Sequence, residues 1–400
     1  MASIKVKFRP STIEGKKGVI YYQVIQNRII RQLKTNYHIS PSDWDEENFS
    51  FKLDETSPNE ELLNIDKQVQ WDVKRLEAII RLFEKRHQSY SSEDIIDFFQ
   101  TRAKELSLFD FMHIQIEKQQ QMGRARTAET YTTTLYSISR YLHHEDILME
   151  EITSDLLQDY EDSLHAQGVS QNSSSFYMRI LRAVYNRSVD NGIVEQQYPF
   201  KDVYTGIDKT VKKAIPMDMI KAIKALDYSN NPHLSFARDM FLFSFYTRGM
   251  SFIDMAYLRK DDLQDDTLIY ARRKTGHKLF VKWEPCMQEI VDKHPSNPNS
   301  PYMLPILKAP FENERNQYKT CLFLVNKNLK IVAAAAGIPI PLTMFVARHS
   351  WASIASQKNI PLSIISEGMG HESEQDTMIY LASLDNTLVD KANSQILDDL

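Results

Sequence analysis

Three stretches near the amino end alternate apolar and polar residues: SIKVKF (3–8), GVIYYQVIQN (18–27) and RIIRQLKT (28–35). Successive side chains of a strand point to opposite faces, so this alternation predicts short strands and, together, a small sheet. The period then changes. Between Asn59 and His87 the apolar residues Leu62, Ile65, Val69, Val73, Leu76, Ile80 and Phe83 fall three or four apart, the spacing of one long amphipathic helix. Residues 107–191 carry four more helical patterns, most opening on Ser or Thr caps and two closing on Gly. They predict a compact four-helix unit. After the basic hinge DKTVKKAIP (208–216), residues 215–400 read as further helices around one two-stranded element, TLIYARR, the turn KTGH, then KLFVKW. FYTRGMSFIDMAYLRKDDL (245–263) reads as a helix with Arg248 near its middle. The fold class is mainly α with small β elements, divided at 1–88, 105–205 and 215–400.

Composition agrees with several domains, because single cores rarely grow past about 250–300 residues and this chain has 400. Cys286 and Cys321 form neither a disulfide framework nor a CxxC metal pair, which suits a reducing compartment. The charged start MASIKVKFRP has no apolar signal core, and no run of about 18 apolar residues occurs, so a soluble, cytoplasmic protein is expected.

The net charge of −5 weighs against a nucleic-acid partner, but it is unevenly spread. Lys5, Lys7, Arg9, Lys16, Lys17, Arg28, Arg31 and Lys34 face a single acid, Glu14, in the first 35 residues, while acids gather in DWDEEN, EDIIDFF and the tail ILDDL. The last helix of the four-helix unit carries Arg179, Arg182 and Arg187 with Tyr177 and Tyr185 interleaved. Two readings stand for that face: a solvated surface, or phosphate contact with stacking.

The chemistry-bearing residues lie in the last segment. RRKTGHK puts Arg272 and Lys274 at a hairpin, LTMFVARHSWASIA puts Arg348 and His349 near the start of an apolar helix, GMGHES supplies His371, and TMIYLASLD supplies Tyr380. Each alone is ordinary. Together, ARHSWASIA…ISEGMGH…IYLASLD resembles the tyrosine recombinases, or phage integrases, and most closely the integrases of Bacteroides-type mobile elements. The likeness runs over essentially the whole chain: an arm-binding sheet, a helical core-binding domain and a catalytic domain.

What the resemblance implies is chemically coherent. A phosphodiester under attack gains negative charge on its non-bridging oxygens, so phosphoryl transfer depends on positioning and on fixed cations. Arginine supplies a planar, permanently charged fork. A phenol with a free pKa of about 10 needs such cations or a base to become a nucleophile. By resemblance, Tyr380 attacks the phosphate, Arg348 grips its oxygens, Lys274 protonates the 5′-oxygen, and His371 holds a phosphate oxygen or assists the nucleophile. The phosphotyrosyl bond stores the energy of the cut strand, so no cofactor is required, and no GxxxxGK[ST] loop occurs.

Two positions depart from the family pattern. Phe345 stands where a histidine usually precedes the second arginine, and Ser251 stands where the first arginine is expected if Asp254 matches the usual acid. Arg248, one helical turn before Ser251, is the preferred substitute, and Arg272 is its rival. Asp254 is read as a structural acid that orients an arginine, and Trp351 as core.

The resemblance also implies double-stranded DNA as partner, at core sites through the four-helix unit and the hinge lysines Lys212 and Lys213, and at arm sites through the sheet bearing Lys5, Lys7 and Arg9. It implies a homo-oligomer on DNA, a tetramer in the synapse, with an accessory DNA-bending protein as a further partner. The tail after Tyr380, with Leu388, Ile396 and Leu397 among acids, is expected to pack on a neighbouring protomer. Two other classes stay open: a DNA-binding protein that has kept this fold and lost the chemistry, and a metal-dependent strand transferase, which needs converging carboxylates.

Overall fold

The computed structural model describes residues 2–53, 59–86, 89–208, 213–309, 311–381 and 397. They fall into two compact units, Met1–Asp208 and Lys209–Leu400. Helices dominate, with small antiparallel sheets, which is the expected mainly α class. Among the described residues no helix is long and apolar enough to cross a membrane.

The first unit opens with the predicted strands, β1 (Ser3–Arg9), β2 (Gly18–Gln26) and β3 (Ile29–Ile39), in the order β1-β2-β3. Their alternation buries Ile20, Tyr22, Val24, Leu33 and Ile39 on one face. Two short strands follow, β4 (Trp44–Asp45) paired with β5 (Ser50–Phe51). The long amphipathic helix is α1 (Glu60–Lys85), started by Asn59, whose side chain accepts from the Glu61 and Leu62 amides. Its apolar stripe joins the core beneath the sheet.

One buried carboxylate fastens sheet to helix. Asp72 of α1 accepts from the hydroxyls of Tyr22 and Tyr37, each at 2.9 Å, and from Arg75. Burial, then the Asp72 charge, pushes the Tyr22 hydroxyl well above its ordinary range and that of Tyr37 up to about 12. Both phenols therefore remain donors. Asp72→Ala orphans these donors and is expected to lower unfolding stability by about 3 kcal/mol, since each unsatisfied buried group costs about 1–3 kcal/mol. Urea denaturation monitored at the tryptophans checks this; a loss below about 0.5 kcal/mol, the range of ordinary surface changes, contradicts it.

Helix α2 (Ser92–Arg102) is absent from the sequence reading, which took EDIIDFF as an acidic surface run. Ser91 and Asp94 cap it reciprocally, and Ile95 and Phe98 turn into the core. The four expected helices follow: α3 (Leu108–Gln121), α4 (Ala125–Tyr141), α5 (Ser154–Ala166) and α6 (Gln171–Asp190). Leu148 and Ile193, from the loops of this bundle, pack into the same core as α1 and the sheet. Sheet and bundle are thus joined by shared burial as well as by chain.

The second unit contains α7 (Met217–Ala225), α8 (Pro232–Tyr246), α9 (Phe252–Ala256), β6 (Leu263–Gln264), β7 (Thr267–Ala271), β8 (Lys278–Lys282), α10 (Pro285–Lys293), α11 (Glu314–Ala335), α12 (Met344–Gln357), α13 (Leu362–Met369) and α14 (Glu374–Leu381). Strands β6, β7 and β8 form one antiparallel sheet. Its centre is α8, whose Met240, Phe241 and Phe243 are fully buried.

The helix expected across 245–263 is broken. Helix α8 stops at Tyr246, and the Gly249 amide closes its last turn on the Ser244 carbonyl at 2.7 Å. Arg248 takes the left-handed conformation this closure demands, with φ +59°. Arg248 therefore sits in a turn, and the inference that it lies one helical turn above Ser251 on a shared face does not hold.

Candidate active site

Four elements meet around the tight turn Met369–His371. Helix α12 carries Arg348, which is only 5% exposed. Its Nη1 donates to the Gly249 carbonyl at 2.8 Å, and its Nη2 donates to the Met369 carbonyl at 2.7 Å and lies 3.1 Å from His371 Nε2. Two glycines make room for it. Gly249, at φ +77°, has Arg348 so close that a Cβ would stand 2.8 Å from Arg348 Cα. Gly370, at φ +63°, ends α13, and a Cβ there would meet Arg272 Cδ at 2.8 Å.

The second cation of the cluster is Arg272, 8% exposed, which donates from Nη1 to the Gly370 carbonyl. Its Nε is buried with no hydrogen-bond partner among the described residues. Native interiors rarely leave such a donor unsatisfied, and those that do are often poised for a ligand. Arg272 and Lys274 belong to the turn between β7 and β8, closed by the Arg272 amide on the His277 carbonyl at 2.8 Å. Lys274 is exposed at the tip, within electrostatic reach of His371.

Asp254 holds this hairpin. It is buried, accepts from the Ser251 hydroxyl at 2.6 Å, and takes the Arg273 amide at 2.9 Å. It thus fixes the backbone between Arg272 and Lys274, whereas the sequence reading had it orienting an arginine side chain. Ser251, at the position where an arginine was sought, is the N-cap of α9. Arg248 lines a separate cleft with His277, Lys278, Glu367 and Gly368. The buried Tyr270 hydroxyl feels Arg348, Arg272 and Arg248 together with Asp254, and burial raises its pKa above the ordinary value.

His371 Nδ1 lies 2.7 Å from Thr377 Oγ1 of α14. A guanidinium only donates, so Nε2 accepts from Arg348, and the ring proton belongs on Nδ1, toward Thr377. Burial, then the charges of Arg348, Arg272 and Lys274, pushes the imidazole down to about 4. The ring is neutral at physiological pH. Because the folded value lies below the ordinary 6.5, the unfolded chain takes up this proton first as pH falls. The stabilising effect of a neutral His371 is present above about 6.5 and is lost between 6.5 and about 4. Imidazole resonances assigned through His371→Asn should titrate near 4; a midpoint near 6.5 in the free protein rejects the arrangement.

Phe345, 59% exposed, sets its ring edge-on to His349 at 5.1 Å, and His349 is buried. Trp351 packs over Gly368 in a small apolar cluster with Ile365 and Met369, as core. Tyr380 lies in α14, one turn beyond Thr377, and its side chain is outside the described residues. Thr377 was missed in the sequence; three residues ahead of a tyrosine, a threonine carries no signal of its own.

In the first unit, cross-strand pairing sets three rows on the outer face of the sheet: Lys5–Gln23–Gln32, Lys7–Tyr21–Lys34 and Arg9–Val19–His38. On α6, Arg179 donates to the Gly206 carbonyl at 3.1 Å and Arg182 to Thr205 Oγ1 at 2.8 Å, tethering the segment ahead of the hinge. Lys213 is exposed; Lys212, Leu388 and Ile396 lie outside the described residues, and Leu397 is exposed. Among the described residues, no cluster of three His, Cys, Asp or Glu side chains could hold a metal ion.

Residues 107–205 match the phage integrase SAM-like domain. A tyrosine recombinase XerC of Chromobacterium violaceum is 28% identical over 233 residues, which is 55% of this chain and 72% of that protein. The fold is shared with a lambda integrase dimer bound to a COC′ core site (TM-score 0.53, 13% identity, 93% of this chain and 96% of that one). It is shared also with the Tn1549 transposon integrase in complex with a circular intermediate DNA (TM-score 0.52, 13% identity, 69% and 95%). Over these spans the chain is similar to tyrosine recombinases and integrases.

Proposed function

We propose that this chain integrates or excises a mobile element by cutting and rejoining double-stranded DNA through a 3′-phosphotyrosyl intermediate. Tyr380 attacks the scissile phosphorus, its hydroxyl proton passing to solvent, and the bond from phosphorus to the 5′-oxygen breaks. Lys274 gives that oxygen its proton. Arg348 and Arg272 hold the non-bridging oxygens, and neutral His371, steadied by Thr377, accepts from Arg348 and orients it. The reverse attack by a 5′-hydroxyl of the partner strand restores Tyr380 and needs no nucleotide.

The observation that carries this reading is the buried Arg272 Nε without a partner, on a guanidinium that shares the Met369–His371 turn with Arg348. It favours Arg272 over Arg248 as the replacement for the missing first arginine. The arm sites fall to the outer rows of the sheet, whose lysines and glutamines suit backbone and base-edge contacts respectively. Core sites fall to the four-helix unit and Lys212–Lys213. Lambda integrase has been seen as a tetramer on a Holliday junction, which supports assembly of this chain as an oligomer on DNA, with residues 386–400 bridging protomers.

The test is covalent trapping. Incubated with nicked duplexes of randomised core sequence, the protein should become covalently linked to a 3′ end, and should do so in chelator. DNA binding without any adduct would leave the non-catalytic reading standing, and adducts that need added Mg²⁺ would favour the metal-dependent one.

A further inference from the structure

The turn that ends α8 places a cation where a helix end asks for glycine or asparagine. Arg248 has φ +59°, a conformation that side-chain-bearing residues adopt at a cost. Among the described residues its guanidinium has no hydrogen bond and no ion pair. It lines an open cleft of about 330 Å³ with His277, Lys278, Leu279, Phe280, Ile364, Glu367 and Gly368. Gly368 leaves space for it, since a Cβ there would come within 3.7 Å of Arg248 Cδ and 3.1 Å of the Trp351 ring.

Arg248, Lys278 and His277 bring donors to the cleft from two elements, and Glu367 is its one carboxylate. Arg348 and Arg272 converge instead on the carbonyls of Met369 and Gly370. We propose that the Arg248–His277–Lys278 cleft is a second anion site, which takes a backbone phosphate of the bound duplex other than the one being cut. The assignment rests on the recombinase reading for its ligand, but not on the chemistry of Tyr380.

A guanidinium and an ammonium side by side suit a phosphodiester, which offers two non-bridging oxygens to separate donors. The apolar rim of Leu279, Phe280 and Ile364 limits how closely water surrounds them. Such a contact carries no sequence information, but it fixes the register of the duplex relative to the hairpin that bears Lys274.

The experiment measures binding to a mixed-sequence duplex by fluorescence anisotropy across a salt series. Each phosphate neutralised contributes about −0.9 to the slope of log affinity against log salt. R248Q and K278Q should each make the slope shallower by about one unit and weaken binding several-fold. E367Q should tighten binding, because it removes the only opposing charge. Lys278 is exposed, so K278Q reads the cleft even if R248Q fails to fold. In covalent trapping, the R248Q deficit should be regained as salt is lowered, whereas that of R272Q should persist. Parental slopes in both R248Q and K278Q overturn the proposal. So does an R248Q slope at the parental value with trapping lost at every salt concentration, which returns Arg248 to the scissile phosphate. Absence of any adduct from the unaltered protein counts against the recombinase chemistry alone, because the salt slopes are read without it.

Discussion

Tyr380→Phe is expected to yield no covalent protein–DNA adduct, while affinity for duplex DNA should stay near the parental value. The substitution removes one oxygen, the atom proposed to form the bond to phosphorus, and leaves the aromatic body in place. A nucleophile cannot be partly replaced, so the expected loss exceeds about a thousandfold, the scale of removing an essential catalytic group. Adduct on denaturing gels, quantified against Tyr270→Phe as a buried-tyrosine control, decides the matter. An adduct from the Tyr380 variant at parental yield would move the chemistry to another side chain. Trypsin mapping of the linked peptide in the unaltered protein names the residue directly.

Arg272→Gln should lower the cleavage rate by about a hundredfold to a thousandfold at saturating DNA, the range for losing one preorganised donor to a developing oxyanion. Two features give Arg272 this weight. Its side chain is held against Gly370, and its Nε–H is buried without a partner. A donor fixed in that way needs no reorganisation when charge builds on the phosphate. Arg272→Lys should recover little, because an ammonium cannot offer two parallel donors. A thermal melt separates this loss from unfolding: a variant that melts with the parent and cleaves at its rate would take Arg272 out of the site.

His371 connects the two expectations. Its proton affinity is low because the ring is buried and because the site is already crowded with positive charge. A phosphate dianion-like transition state brings opposite charge into the same cluster, while the neutral ring goes on accepting from Arg348 with its own proton held toward Thr377. The pH dependence of trapping should therefore show no loss on raising pH through 6.5, since the free ring has given up its proton well below that value.

The class of fold was legible because period alone separates strand from helix. The alternation in β1 to β3 and the three-and-four spacing in α1 are local, and the structure has both where they were read. Helix α2 escaped because its acids drew attention from Ile95 and Phe98, although the Ser91–Asp94 cap was there to be seen. Arg248 was misplaced for a related reason. Apolar residues run on through 245–263, and nothing in that pattern announces that an arginine, together with the glycine after it, takes a left-handed conformation.

The sequence by itself determined the helical class and named the candidates, Tyr380, Arg348, His371, Lys274 and two arginines, by type and order along the chain. Only the tertiary structure brought Arg348, Arg272 and His371 to one turn. It set Arg272 against Gly370, aimed Arg248 into another cleft, and gave Asp254 the hairpin backbone to hold. The reason is physical. Motif spacing records distance along the backbone, whereas the field at a phosphate depends on distance through space. A single left-handed residue or a missing Cβ changes that distance without leaving any periodic trace.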